Sequence, residues 1–149
     1  ISDYVIVDSA AGLGIEALSS FDLADELIIV TNPEMPAITD ALKTIKIAEQ
    51  MKKPVIGVVI TKVRKDNIEM PPETVKEMLE IPILGMVPYD MDVQKSLNRK
   101  NTVVHAFPKS KAARAYKEIA ARILDVPYDS KKDREKIIVS VLKKLGLRA

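Results

Sequence analysis

The stretch YVIVDSAAGLG, residues 4–14, decides how the rest of the chain is read. Four apolar residues in a row, ended by Asp8 and then by a loop of small residues, describe a buried parallel strand that stops at a sheet rim. In open α/β sheets that rim, at the carboxyl ends of the strands, is where ligands bind. A carboxylate there can hold a magnesium-bound water beside phosphates. Gly12 and Gly14 let backbone amides approach a terminal phosphate without interference from a Cβ. Taken alone, Asp8 reads first as a residue that opens a strand-to-helix turn.

Three further apolar runs extend the pattern: LIIVT (27–31), VIGVVIT (55–61) and ILGMV (83–87). Each is continuous rather than alternating, as in strands covered by helices on both faces. Between the first two, residues 37–51 place Ile38, Leu42, Ile45, Ala48 and Met51 at helical spacing, with Pro36 in the first turn and Pro54 in the loop beyond. A shorter helix is expected over 73–79. Strand and helix alternate, so the fold expected is α/β, a three-layer doubly wound and mostly parallel sheet with helices at its C-terminal end. Ser110 is placed to cap a helix over 111–124, with Ala112, Tyr116, Ile119 and Ile123 as its apolar stripe. The organisation read from this is a domain over 1–126, a linker over 127–133 and a final helix over 134–149.

Composition narrows the function. The 149 residues carry 23 Lys and Arg against 21 Asp and Glu, a net charge of +2, which does not suit a sequence-specific nucleic-acid binder steered by its overall field. There is no cysteine, so this chain supplies neither disulfides nor thiolate ligands. No apolar run reaches the roughly 20 residues that span a bilayer. His105, the sole histidine, lies between Val104 and Phe107 and reads as structural. Asp90 and Asp92 read as a solvated helix start, and Lys109 and Lys111 as surface charges about a cap.

Three blocks now carry a resemblance. DSAAGLG (8–14) is similar to the switch segment of the MinD family, with Ala10 where that family usually has Pro. ADELIIVTNPEMPAITDA (24–41) is similar to the family's next strand, TNPE turn and helix. IPILGMVPYD (81–90) resembles its strand ending in a Val-Pro turn. Order and spacing agree, and the likeness covers nearly all of the chain before the linker. It implies a MinD/ParA-type P-loop ATPase of the SIMIBI group, represented by its portion from the Walker B strand onward. The implied cofactors are ATP and Mg2+. Asp8 would act on the metal through water and Gly12 would sense the γ-phosphate, while Thr31, Asn32 and Pro33 would lie at the rim. Backbone groups of Pro88, Tyr89 and Asp90 would meet the base.

At ITKVRKD (60–66) the chain departs from the family, which commonly offers Asn to the adenine edge where Thr61 and Lys62 stand here. A hydroxyl forms fewer directed hydrogen bonds than an amide. The TK pair also suggests a guanine-reading motif, but Arg64 occupies its Asp position and a guanidinium has no acceptor for guanine N–H groups. GTP is a minor alternative, and a plain solvated loop is the local alternative.

No phosphate-binding loop is encoded. The glycines are residues 12, 14, 57, 85 and 146, and none precedes a lysine, so ATPase activity is not expected from this chain alone. With Ile1 opening directly onto a strand pattern, the sequence looks like a piece of a longer protein. In the family the P-loop strand lies between the Walker B strand and the LIIVT strand, and an upstream segment or second chain is expected to fill that gap.

Residues 131–149 hold seven basic and two acidic side chains. On a helix Ile137, Ile138, Val141, Leu142 and Leu145 share one face opposite Lys136, Ser140, Lys143 and Lys144. Such a helix suits either an anionic membrane surface or docking on its own domain. The resemblance implies a switch that forms a homodimer when ATP-bound, acts at a cell-division site or in partitioning, and answers to a protein activator of unknown identity. Its implied location is cytoplasmic, peripheral on the inner face of the cell membrane. The alternatives are a non-catalytic interaction module, and a metabolic or cluster-assembly member of the same ATPase group.

Overall fold

A computed structural model describes residues 4–10, 12–64, 66 and 68–129. The basic helix expected over 134–149, with Ile137, Ile138, Val141, Leu142 and Leu145, and most of the linker lie outside the described residues. The chain divides into two compact units, Ile1–Met86 and Val87–Ala149.

The first unit is built from α1 (Ile15–Leu23), β1 (Leu27–Thr31), α2 (Met35–Gln50), β2 (Val55–Val63), α3 (Pro72–Leu79) and most of β3 (Ile83–Pro88). The strands are parallel and stand in the order β1-β2-β3, each linked to the next by a helical crossover, as the sequence predicts. One face of the sheet makes the core. Ile29 of β1 and Val58 and Ile60 of β2 pack with Ile38, Ala41 and Ile45 of α2 and with Val75 and Leu79 of α3. These spacings are the period of two on the strands and three to four on the helices, which is why continuous apolar runs and helical stripes were legible together.

The register of β1 against β2 slips at one point: Leu27 is opposite Val55, but Ile28 is opposite Gly57. Ile56 is therefore an extra residue, a β-bulge, and Gly57 follows it with φ +156. A Cβ on Gly57 would stand 2.6 Å from the Pro82 carbonyl oxygen and 2.7 Å from Leu84 Cγ. The missing side chain lets β3 approach β2, and Val58 N–H donates to that same Pro82 oxygen at 2.8 Å.

Two expectations are corrected. Residues 4–8 carry the local pattern of a strand, yet they are not in the sheet; Tyr4, Val5 and Ile6 are 69%, 80% and 93% exposed. A strand exists only against a neighbour that shares its hydrogen bonds, and β1, β2 and β3 pair with one another without including this segment. Second, β1 is not covered on both faces: Leu27, Ile29 and Thr31 are buried, while Ile28 and Val30 are 40% and 65% exposed.

The second unit comprises α4 (Met91–Asn98), α5 (Val103–Ala106) and α6 (Lys111–Ile123). Ser110 caps α6 by accepting from Ala113 N–H at 3.1 Å. The buried stripe of α6 is made by Ala112, Ala113, Ala115, Ile119 and Ala121, whereas Tyr116, expected inside, is exposed. Four small residues bring the α6 backbone close to its packing surface, which leaves no room there for a phenol ring.

Candidate functional site at the ends of the first two strands

β1 and β2 run in the same direction, so their carboxyl ends deliver Thr31 and Thr61 side by side; the register sets Thr31 opposite Ile60. The Thr61 hydroxyl reaches across, 2.8 Å from Asn32 Oδ1 and 3.2 Å from the Thr31 carbonyl oxygen. Thr31 itself is buried, and its hydroxyl lies 3.5 Å from its neighbour's carbonyl oxygen. Pro33 is also buried, and its carbonyl accepts from Met70 N–H at 3.1 Å, which ties the turn after β1 to the segment before α3. Among the predicted contacts, Thr31, Asn32 and Thr61 are thus gathered into one hydrogen-bonded group, with Pro33 next to it in the turn.

Lys62 extends from the same strand end, exposed, with its backbone in the left-handed region at φ 59. That conformation costs a non-glycine residue about 1 kcal/mol. The loop beyond is more organised than a solvated connection. Both carboxylate oxygens of Glu69 accept from Arg64 N–H at 2.8 Å, and Asp66 Oδ1 accepts from the N–H groups of Ile68 and Glu69. Glu69 gave no signal in the sequence, because its partner is a backbone group five residues away.

Asp8 and Gly12 lie on the segment that precedes α1. Asp8 is exposed on the stretch 4–10, which is in no helix or strand, because the strand expected to carry it is unpaired. Gly12 holds φ +86, a left-handed conformation that glycine adopts without strain. The helix that follows is anchored at its far end, where Lys53 Nζ donates to the carbonyl oxygens of Asp22 and Ala24 at 2.9 and 3.1 Å. Cationic donors suit orphan carbonyls at a helix C-terminus.

The other predicted contacts belong to the second unit. Tyr89 is 39% exposed, and its hydroxyl accepts from Gln94 Nε2 at 3.4 Å. The Asp90 carboxylate is fully engaged: Oδ1 accepts from Asp92 N–H at 3.0 Å, capping α4, and Oδ2 accepts from Ala112 N–H at 3.1 Å in the first turn of α6. Partial burial pushes its carboxyl up, but the N–H groups of Asp92, Ala112 and Lys111 and the Lys111 charge outweigh that and hold it below its ordinary value of 3.8. Asp90 is therefore a double helix cap rather than a simple solvated start. Pro88 ends β3 and is half-buried. His105 is exposed on α5 with its Nδ1 beside the Asn101 amide, outside the apolar setting its neighbours suggested.

A turn of Thr, Asn and Pro after one parallel strand, cross-linked to a Thr after the next, is the arrangement against which known families can be compared. The ParA family, described as NUBPL iron-transfer P-loop NTPase, matches residues 2–124. The chain belongs to this family. Among relatives of this ParA-family chain, an uncharacterized ATP-binding protein of Methanocaldococcus jannaschii is 36% identical over 96% of the chain. The septum site-determining protein MinD of Bacillus subtilis is 31% identical over 99% of it. The structure of MinD from Pyrococcus horikoshii complexed with Mg-ADP superposes with a TM-score of 0.73 at 27% identity, covering 78% of the chain. The ParA-family chain spans 55% and 58% of the two relatives and 48% of the solved structure, about half of each.

Proposed function

We propose that this chain is the C-terminal half of a MinD/ParA-type ATP-binding switch, whose phosphate-binding part is supplied by polypeptide outside it. The observation that carries the proposal is a matched pair of uncovered apolar surfaces. Val5 and Ile6, 80% and 93% exposed, have the sequence of a buried strand, and β1 leaves Ile28 and Val30 uncovered beside an open edge. Exposed apolar surface of this kind marks an interaction site. A strand inserted between residues 4–8 and β1 would pair with both, a helix packed over it would cover the exposed face, and Asp8 would come to the rim.

Within such a site the residues present fit the nucleoside side. Asn32 and Thr61 offer a hydrogen-bonding pair at the strand ends. Asp8 would orient water about Mg2+, and the Gly12 backbone would face the terminal phosphate. ATP supplies a phosphoanhydride whose presence or absence sets the switch. Dimerisation about ATP, slow hydrolysis and release from a membrane or partner at a division or partition site complete the proposed cycle. The relatives named for ATP binding and the Mg-ADP complex support the choice of nucleotide. The iron-transfer description of the family is less well served, since the chain brings no cysteine to a cluster.

The test is equilibrium binding of ATP with magnesium to the intact gene product that contains this sequence. Saturable, magnesium-dependent binding is expected. Asp8→Ala, on an exposed residue that leaves the fold intact, is expected to weaken it about tenfold or more, the scale of a hydrogen bond to a charged group. Unchanged affinity in that variant would remove Asp8 from the site.

A further inference from the structure

The Thr61 hydroxyl has one proton and two oxygens within reach, Asn32 Oδ1 at 2.8 Å and the Thr31 carbonyl at 3.2 Å. The shorter distance assigns the proton to Asn32 Oδ1, so the amide oxygen is held by Thr61. The Asn32 amino group has no hydrogen-bond partner among the described residues and is available as a donor. A half-turn of the amide reverses this. Nδ2 then donates to Thr61 Oγ1 over the same 2.8 Å, the hydroxyl proton swings to the Thr31 carbonyl, and the amide oxygen becomes the available group. Both settings leave the Thr61 side of the pair fully hydrogen-bonded, so neither is penalised by an unsatisfied group.

We infer that Asn32, steadied by Thr61, is the base-reading side chain of this site, and that it accepts purine nucleotides with either an amino or an oxo group at C6. The inference rests on the nucleotide reading above and deepens it. A 6-amino group donates to the amide oxygen in one setting; a 6-oxo group accepts from the amino group in the other. The neighbours do not compete for this role. Thr31 is buried, the Pro33 carbonyl is taken by Met70, and Lys62 offers an exposed point charge without directional acceptors. Asn32 is half-buried at the strand ends, which leaves one edge of the amide open while the other is fixed. Thr61 is a positioning residue, acting through Asn32.

The experiment is displacement of a ribose-labelled ATP from the intact gene product by ATP and by ITP, which differ in the C6 substituent and in the proton that the 6-oxo ring carries on N1. In the unaltered protein the two dissociation constants are expected to agree within about threefold, because each finds one hydrogen bond. Asn32→Ala removes both amide groups and is expected to weaken ATP and ITP alike by about fivefold or more. Thr61→Val should weaken both nucleotides by about fivefold without moving their ratio, and Thr61→Ser, which keeps the hydroxyl, should restore both. A purely structural Thr61 would change melting temperature and neither affinity. An ATP preference beyond about tenfold in the unaltered protein, or unchanged affinities in Asn32→Ala, overturns this inference while the nucleotide reading stands. A folded protein that binds no labelled ATP overturns both.

Discussion

Replacing Gly57 by alanine is expected to destabilise the first unit by about 3 kcal/mol or more, and to lower Tm by about 10 °C. Two effects combine. The backbone at φ +156 is one that L side chains rarely adopt, and the added methyl would meet the Pro82 oxygen at 2.6 Å and Leu84 at 2.7 Å. The first obstacle is backbone held by the Val58 N–H, so relief requires β3 to move away from β2. That would also shift the strand end that carries Thr61. Thermal unfolding followed by circular dichroism measures the change. Gly14→Ala is the control: a methyl there would meet no atom within 4 Å, φ is −70, and the cost should stay below about 1 kcal/mol. A Gly57→Ala protein as stable as the parent would mean that the bulge and the close approach of β3 are misassigned.

Asp90→Ala is expected to cost about 2 kcal/mol, because one carboxylate caps two helices and each cap contributes about 1 kcal/mol. The loss should appear in the second unit, as faster amide exchange in the first turns of α4 and α6. Its pH dependence follows from the direction of the shift. The folded carboxyl titrates below its ordinary value of 3.8, so its contribution is present above that pH and is lost as the pH falls through the folded value. The difference in stability between parent and variant should therefore be constant from neutral pH down to about 4 and shrink below it. A difference that grows on acidification would contradict the double cap.

Why some of this was legible in the sequence and some was not follows from the range of the interactions. β1, β2, β3, α2 and α3 announce themselves through local periodicity, and Ser110 through its place before an apolar stripe. α1 and α4 are only 9 and 8 residues long, so their helical faces were not distinct in the sequence. The link from Thr61 to Asn32, the contact of Gly57 with Pro82 and the reach of Asp90 to Ala112 join residues 29, 25 and 22 positions apart. No window of sequence contains both partners. The same distinction explains residues 4–8: their composition is that of a strand, but pairing is a property of two segments, and the sheet of this chain does not include them.

Hydrogen–deuterium exchange on the intact gene product, with and without ATP and magnesium, tests most directly whether YVIVD belongs to a nucleotide-bearing sheet. Slow exchange of the amides of residues 5–8 and of the open edge of β1, slower still with nucleotide, is the result expected of paired strands. Exchange at the rate of an exposed extended chain, unchanged by saturating ATP and magnesium, would contradict it.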